Sequence, residues 1–199
     1  MRAQLLDAGV GDLDAVVVTH DHADHCHGID ELRPIAQRRG PVPLYARADV
    51  LERLKQRFDY AFAGSGFYSP VVEAREASDE LVLGEVNIRF VDQPHGNVTS
   101  LGLRFDESRR SAVYAIDFNA MSLKMIDLYE GADVLICDCL QRRPHPTHAH
   151  LDAILGWAKD LRAGQVYLTH MNNSMDYATL ARELPDWAAP AFDGLEIEL

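Results

Sequence analysis

Cysteine is scarce in this chain: Cys26, Cys137 and Cys139 are the only three in 199 residues, with no C-x-x-C spacing. So small and odd a count excludes a disulfide-stapled scaffold. With no secretory signal before it, the chain reads as cytoplasmic and reduced. Cys137-Asp138-Cys139 is the one tempting pair, but it continues the run Val134-Leu135-Ile136, where strand alternation puts both thiols on one face as core filler. Long apolar runs are missing as well, which excludes a helical membrane span. Basic residues are outnumbered, 19 Lys and Arg against 31 Asp and Glu, for a net charge of −12. Nucleic acid is disfavoured as a partner, because a long phosphate groove needs a basic stripe. No Pro/Ser/Gly-rich linker, internal repeat or low-complexity tract divides residues 1–199, so a single domain is expected.

What the chain does have is concentrated near its start. The apolar run Ala15-Val16-Val17-Val18-Thr19 leads directly into His20-Asp21-His22-Ala23-Asp24-His25, three imidazoles and two carboxylates in six positions. Crowded at the mouth of a buried strand, these groups repel one another and resist burial unless a cation compensates them. A metal site accounts for the cluster better than a solvated polar loop does.

The rest of the chain alternates short apolar runs with amphipathic stretches. Strands are expected at 14–19, 43–45, 80–83, 86–91, 100–105, 112–116, 134–139, 165–169 and 195–198. Helices are expected at 29–38, 46–58, 151–161 and 177–183, and Leu83-Gly84-Glu85-Val86 reads as a hairpin turn. Against this pattern His95 follows the strand Ile88-Arg89-Phe90-Val91, Asp117 ends Ala112 to Ile116, and His170 ends Gln165 to Thr169. Each stands at the C-terminal end of a strand, where open sheets place their ligands. Taken singly, such residues are more often structural histidines or turn and cap aspartates. Taken with the first cluster, they read as parts of one site.

In order and type, His20 to His25, His95, Asp117 in Ala115-Ile116-Asp117 and His170 in Leu168-Thr169-His170 resemble the ligand series of the metallo-β-lactamase superfamily of hydrolases. Gly28-Ile29-Asp30-Glu31-Leu32-Arg33-Pro34 and Pro146-Thr147-His148-Ala149-His150-Leu151-Asp152 are similar to its PhnP-like cyclic phosphodiesterase branch. The resemblance implies an α/β (α+β) fold, a four-layer αββα sandwich with the site at one edge of two sheets. It further implies that His20, His22 and His95 hold one divalent ion, that Asp24, His25 and His170 hold a second, and that Asp117 bridges them. Imidazole and carboxylate ligands suit zinc, manganese or iron alike. A pair of such ions about 3.5 to 4 Å apart binds a water, lowers its pKa and clamps a substrate oxygen.

The implied reaction is attack of a metal-bridging hydroxide, oriented by Asp24, on a small phosphodiester, cyclic or open. His148 is the expected proton donor to the leaving alkoxide. Hydrolysis of a thioester, lactone or other acyl substrate by the same centre is the alternative, and a non-catalytic metal-binding relative is a third. Asp21, between two ligands, either orients an imidazole or is simply solvated. Arg33 is expected to cap or salt-bridge, and Asn172 and Asn173 to form a turn. Only Met1 to Leu13 precede the first motif strand, where the branch normally has a Gly-rich segment and several strands. The resemblance therefore predicts a sandwich truncated at its N-terminus, with exposed strand edges and a tendency to aggregate or to form a homodimer.

Overall fold

The computed structural model describes residues 1–199. Its contacts group the chain into two compact units, Met1–Ser78 and Asp79–Leu199. Each unit is built around one sheet and one apolar core.

The first unit opens with α1 (Arg2–Asp7), which buries none of its residues. Its sheet is parallel, in the order β1 (Val16–Val17), β2 (Val42–Ala46), β3 (Val72–Glu76). The expected strand 14–19 is therefore shorter than its apolar run, although Val18 still donates to the carbonyl of Tyr45 at 2.9 Å. From there the chain leaves the ladder for α2 (Ala23–Cys26). A 3-10 turn, Ile29–Leu32, then runs into α3 (Arg33–Arg39), so the expected single helix 29–38 is two elements. Pro34 sits in the first turn of α3, where its missing N–H costs nothing, and Gly40, at φ +95°, ends the helix. Two further helices, α4 (Ala48–Arg57) and α5 (Asp59–Ala63), return the chain to β3. Val50, Leu51 and Leu54 recur at the helical spacing and are buried with Leu32, Leu44 and Ala46.

The second unit is a seven-stranded mixed sheet whose strands stand side by side in chain order. Its first half is a meander of β4 (Glu80–Leu83), β5 (Val86–His95), β6 (Val98–Glu107) and β7 (Arg110–Ala115), all antiparallel. Gly84 takes the left-handed conformation, φ +60°, at the expected hairpin. The second half is parallel: β7, β8 (Val134–Asp138), β9 (Gln165–Thr169) and β10 (Ala188–Pro190), joined by α6 (Leu123–Tyr129), α7 (Leu151–Asp160) and α8 (Tyr177–Glu183). The expected strand 195–198 does not form. Ala188–Pro190 takes the edge beside β9 instead, where the proline ring needs no ladder donor on its open side.

This topology fixes where the chemistry can lie. β5 and β7 are each antiparallel to β6, so they run in the same direction, and β8 and β9 run parallel to β7. The C-terminal ends of all four strands therefore open on one edge of the sheet. His95 ends β5, Asp138 ends β8, and Asp117 and His170 follow β7 and β9.

A buried polar network braces that edge. Tyr129 on α6 donates its O–H to Gln93 Oε1 at 2.7 Å, and Gly102 on β6 lies directly beneath. A Cβ at Gly102 would overlap Tyr129 Oη and stand 2.7 Å from Gln93 Oε1. Gly102→Ala should therefore lower unfolding stability by about 3 kcal/mol, because overpacking is added to a broken buried hydrogen bond. Urea denaturation measures this, and a wild-type midpoint would contradict it.

Candidate metal centre

In the first unit, the backbone at His22 is extended, at φ −65° and ψ 151°, and serves as the N-cap of α2. An extended turn sends residues i and i+2 to one side and the residue between them to the other. The rings of His20 and His22 accordingly meet edge-on with centroids 4.5 Å apart, and His25, one turn into α2, approaches His20 at 4.4 Å. His20 is buried and its Nδ1 lies 3.1 Å from Thr19 Oγ1. Asp24 is exposed in the first turn of α2, its Oδ2 3.2 Å from His25 Nε2. His27 points elsewhere, against the ring of Phe58 at 5.9 Å.

In the second unit, His95, Asp117 and Asp138 are almost completely buried, at 3%, 1% and 0% exposure. His95 Nδ1 donates to the carbonyl of Thr147 at 2.7 Å, which leaves Nε2 to face Asp117 Oδ2 at 3.4 Å. A histidine whose other nitrogen is held by a carbonyl is the usual arrangement for a ligand. His170 lies between two carboxylates, Nε2 3.4 Å from Asp117 Oδ1 and Nδ1 3.5 Å from Asp138 Oδ1. His148 donates from Nδ1 to Asp138 Oδ2 at 2.9 Å, and its ring stacks on that of His170 with centroids 5.1 Å apart. Ligand atoms of Asp117, Asp138, His148 and His170 all lie within 4.8 Å of one another.

Two of these residues have strained backbones. Asp117 and His170 are non-glycine residues in the left-handed region, at φ 54° and 56°. Such strain persists only when its surroundings over-determine it. For Asp117 the cause is visible: Ser100 Oγ donates to its carbonyl at 2.7 Å while accepting from Gln93 Nε2 at 2.9 Å. Gln93 is in turn held by Tyr129 and by the carbonyl of Ile116.

The donor set fits a divalent cation. Two fully buried carboxylates pair with histidines, and Asp138 Oδ1 accepts no hydrogen bond. Buried carboxylates in that state are favourable only when a positive charge compensates them. The neighbouring thiols are not candidates. Burial raises Cys137 well above its ordinary pKa and pushes Cys139 up to about 12, so neither supplies a thiolate. Both are buried in the core, as strand alternation predicts.

Several expectations are settled by contacts. Asp21 neither orients an imidazole nor is simply solvated; its carboxylate is bound by Arg53 and Arg57. Arg33 pairs with Asp30 at 2.8 Å, and Asn172 Oδ1 accepts from the backbone of Ser174, a turn contact. His145 and His150 are half-buried, and His150 is the N-cap residue of α7 without a side-chain cap bond. Asp138, inside an apolar strand, joins this candidate site without any signal in the sequence pattern.

A family model described as the beta-lactamase superfamily domain matches residues 2–171. The chain belongs to that family. Its fold is the metallo-β-lactamase fold. A solved structure described as a new diphosphatase from the PhnP family is 34% identical, with a TM-score of 0.87 over 98% of this chain and 74% of that one. An octanoyltransferase from Porphyromonas gingivalis is 26% identical over 98% of this chain and 40% of its own length. The exodeoxyribonuclease WalJ from Streptococcus pneumoniae is 27% identical over 61% of this chain and 42% of its own. The chain thus spans about two-fifths of these two curated relatives. No helix is long and apolar enough to cross a membrane.

Divalent metal should stabilise the folded chain by linkage, about 2.7 kcal/mol at a free concentration one hundred times the Kd. Thermal melts with zinc or manganese, before and after chelation, should show that rise, and Asp117→Asn should lose most of it. Equal melting temperatures with and without metal would contradict the assignment.

Proposed function

We propose that this chain hydrolyses a small phosphodiester, of which a cyclic one is the leading candidate, using two divalent ions. In this proposal His20, His22, Asp24 and His25 of the first unit and His95, Asp117 and His170 of the second would supply the ligands. Bound there, the ions supply an activated water and neutralise charge on the non-bridging phosphoryl oxygens.

The observation that carries the reading is the pair Asp138–His148 beside Asp117 and His170. Thiolates leave without a proton, whereas an alkoxide expelled from phosphorus needs one in the transition state. Asp138 Oδ2 accepts from His148 Nδ1, which fixes the ring and leaves Nε2 as the atom that delivers a proton to the leaving oxygen. Asp138 is a positioning residue in this scheme, and it touches no substrate atom itself. Asp24, exposed beside His25, is placed to orient the attacking water. The buried contacts that impose the left-handed backbone at Asp117 hold its carboxylate in place before substrate arrives.

Similarity to proteins described as a diphosphatase and an exodeoxyribonuclease supports chemistry at phosphorus. The net charge of −12 favours a small substrate over a nucleic acid chain.

Turnover of a 2′,3′-cyclic nucleotide, bis(p-nitrophenyl) phosphate and an acyl thioester should rank the two phosphodiesters above the thioester. His148→Ala should lower kcat by about 10²- to 10⁴-fold on the cyclic nucleotide. The loss should be much smaller on the p-nitrophenyl ester, whose leaving group needs no proton. A thioesterase-only profile, metal-loaded protein with no hydrolysis, or equal losses on both phosphodiesters would overturn the proposal.

A further inference from the structure

Asp21 stands between two proposed ligands, and what holds it comes from another part of the first unit. Because the turn is extended, its side chain leaves the side occupied by His20 and His22 and meets α4. Arg53 Nε donates to Asp21 Oδ1 at 2.9 Å, and Arg57 Nη2 donates to Oδ2 at 2.6 Å. Arg57 Nη1 also donates to the backbone carbonyl of Asp21, which accepts from Cys26 Sγ at 3.5 Å as well. One guanidinium therefore fixes both the peptide plane that joins Asp21 to His22 and the carboxylate behind it. A forked, planar guanidinium holds the two acceptors in fixed geometry, which a lysine ammonium does only in part.

The clamp joins a largely buried carboxylate to two partly exposed guanidinium groups. Asp21 is 11% exposed at its side chain, while Arg53 and Arg57 reach solvent at 40% and 45%. Arg53 is braced in turn by Asp49, one helical turn earlier, at 3.1 Å.

We propose that Arg53 and Arg57 are positioning residues for metal binding, acting through Asp21 to hold the His20–His22 turn in its ligating conformation. The inference rests on the metal-centre reading above and adds to it a control element on α4. A preorganised turn does not have to be ordered when the ion binds, so removal of the clamp appears as lost affinity.

The test is binding of zinc and cobalt(II), with no substrate present, by wild type, Arg57→Gln, Arg57→Lys and Arg53→Gln. Chelator competition should show Arg57→Gln weakened about tenfold or more. Its cobalt(II) absorption should change, Arg57→Lys should recover part of the loss, and metal-free melting temperatures should stay close together. If Arg57→Gln does not fold, Arg53→Gln and Arg57→Lys, which each keep part of the clamp, carry the same comparison. Wild-type affinity and spectrum in the folded variants, with only the metal-free melting temperature lowered, would overturn the clamp and leave the metal centre standing. A wild-type chain that binds no cobalt(II) or zinc would overturn the metal-centre reading and the clamp with it.

Discussion

Buried negative charge is the constraint on which the second unit turns. Asp117 and Asp138 are removed from water at one edge of a seven-stranded sheet, with His95, His148 and His170 as their paired partners. Carboxylates in that position destabilise a fold unless a cation or well-formed hydrogen bonds repay their lost hydration. The arrangement therefore makes sense as a site that is completed by metal. The apolar strands matter mainly because their parallel run delivers these residues to one edge.

The same edge shows how a fold supports strained ligands. Asp117 holds a left-handed backbone because Ser100, Gln93 and Tyr129 form a continuous buried chain of hydrogen bonds onto its carbonyl. Gly102 is part of that arrangement, because any side chain there displaces Tyr129. In the first unit a different device serves the same end: arginines on a neighbouring helix grip the residue between two histidines. Rigid support behind a flexible-looking motif is common to both units.

Most of the candidate ligands were legible because strand-ending polar residues after apolar runs leave a clear pattern. His20 to His25, His95, Asp117 and His170 all have it. Asp138 was hidden because it lies inside an apolar run between two buried cysteines, where the alternation reads as core; its meaning depends on β8 standing beside β9 in the sheet. The arginine clamp was hidden for a similar reason, since Arg53 and Arg57 are more than thirty residues from Asp21. Among strands, β3 escaped notice because Val72-Glu73-Ala74-Arg75-Glu76 is largely charged, and β10 because it is three residues ending in proline. The alternation Leu195-Glu196-Ile197-Glu198 suggested a strand that is not made, since a pattern becomes a strand only where a sheet edge accepts it.

A pair of ions sharing Asp117 is the proposal on which the chemistry rests. Metal content measured by mass spectrometry on the loaded protein, with anomalous diffraction to place the ions, tests it most directly. Two ions per chain are predicted, one against His95 and Asp117 and the other against Asp117 and His170. Loading to less than one ion per chain, or ions seated away from Asp117, would contradict it.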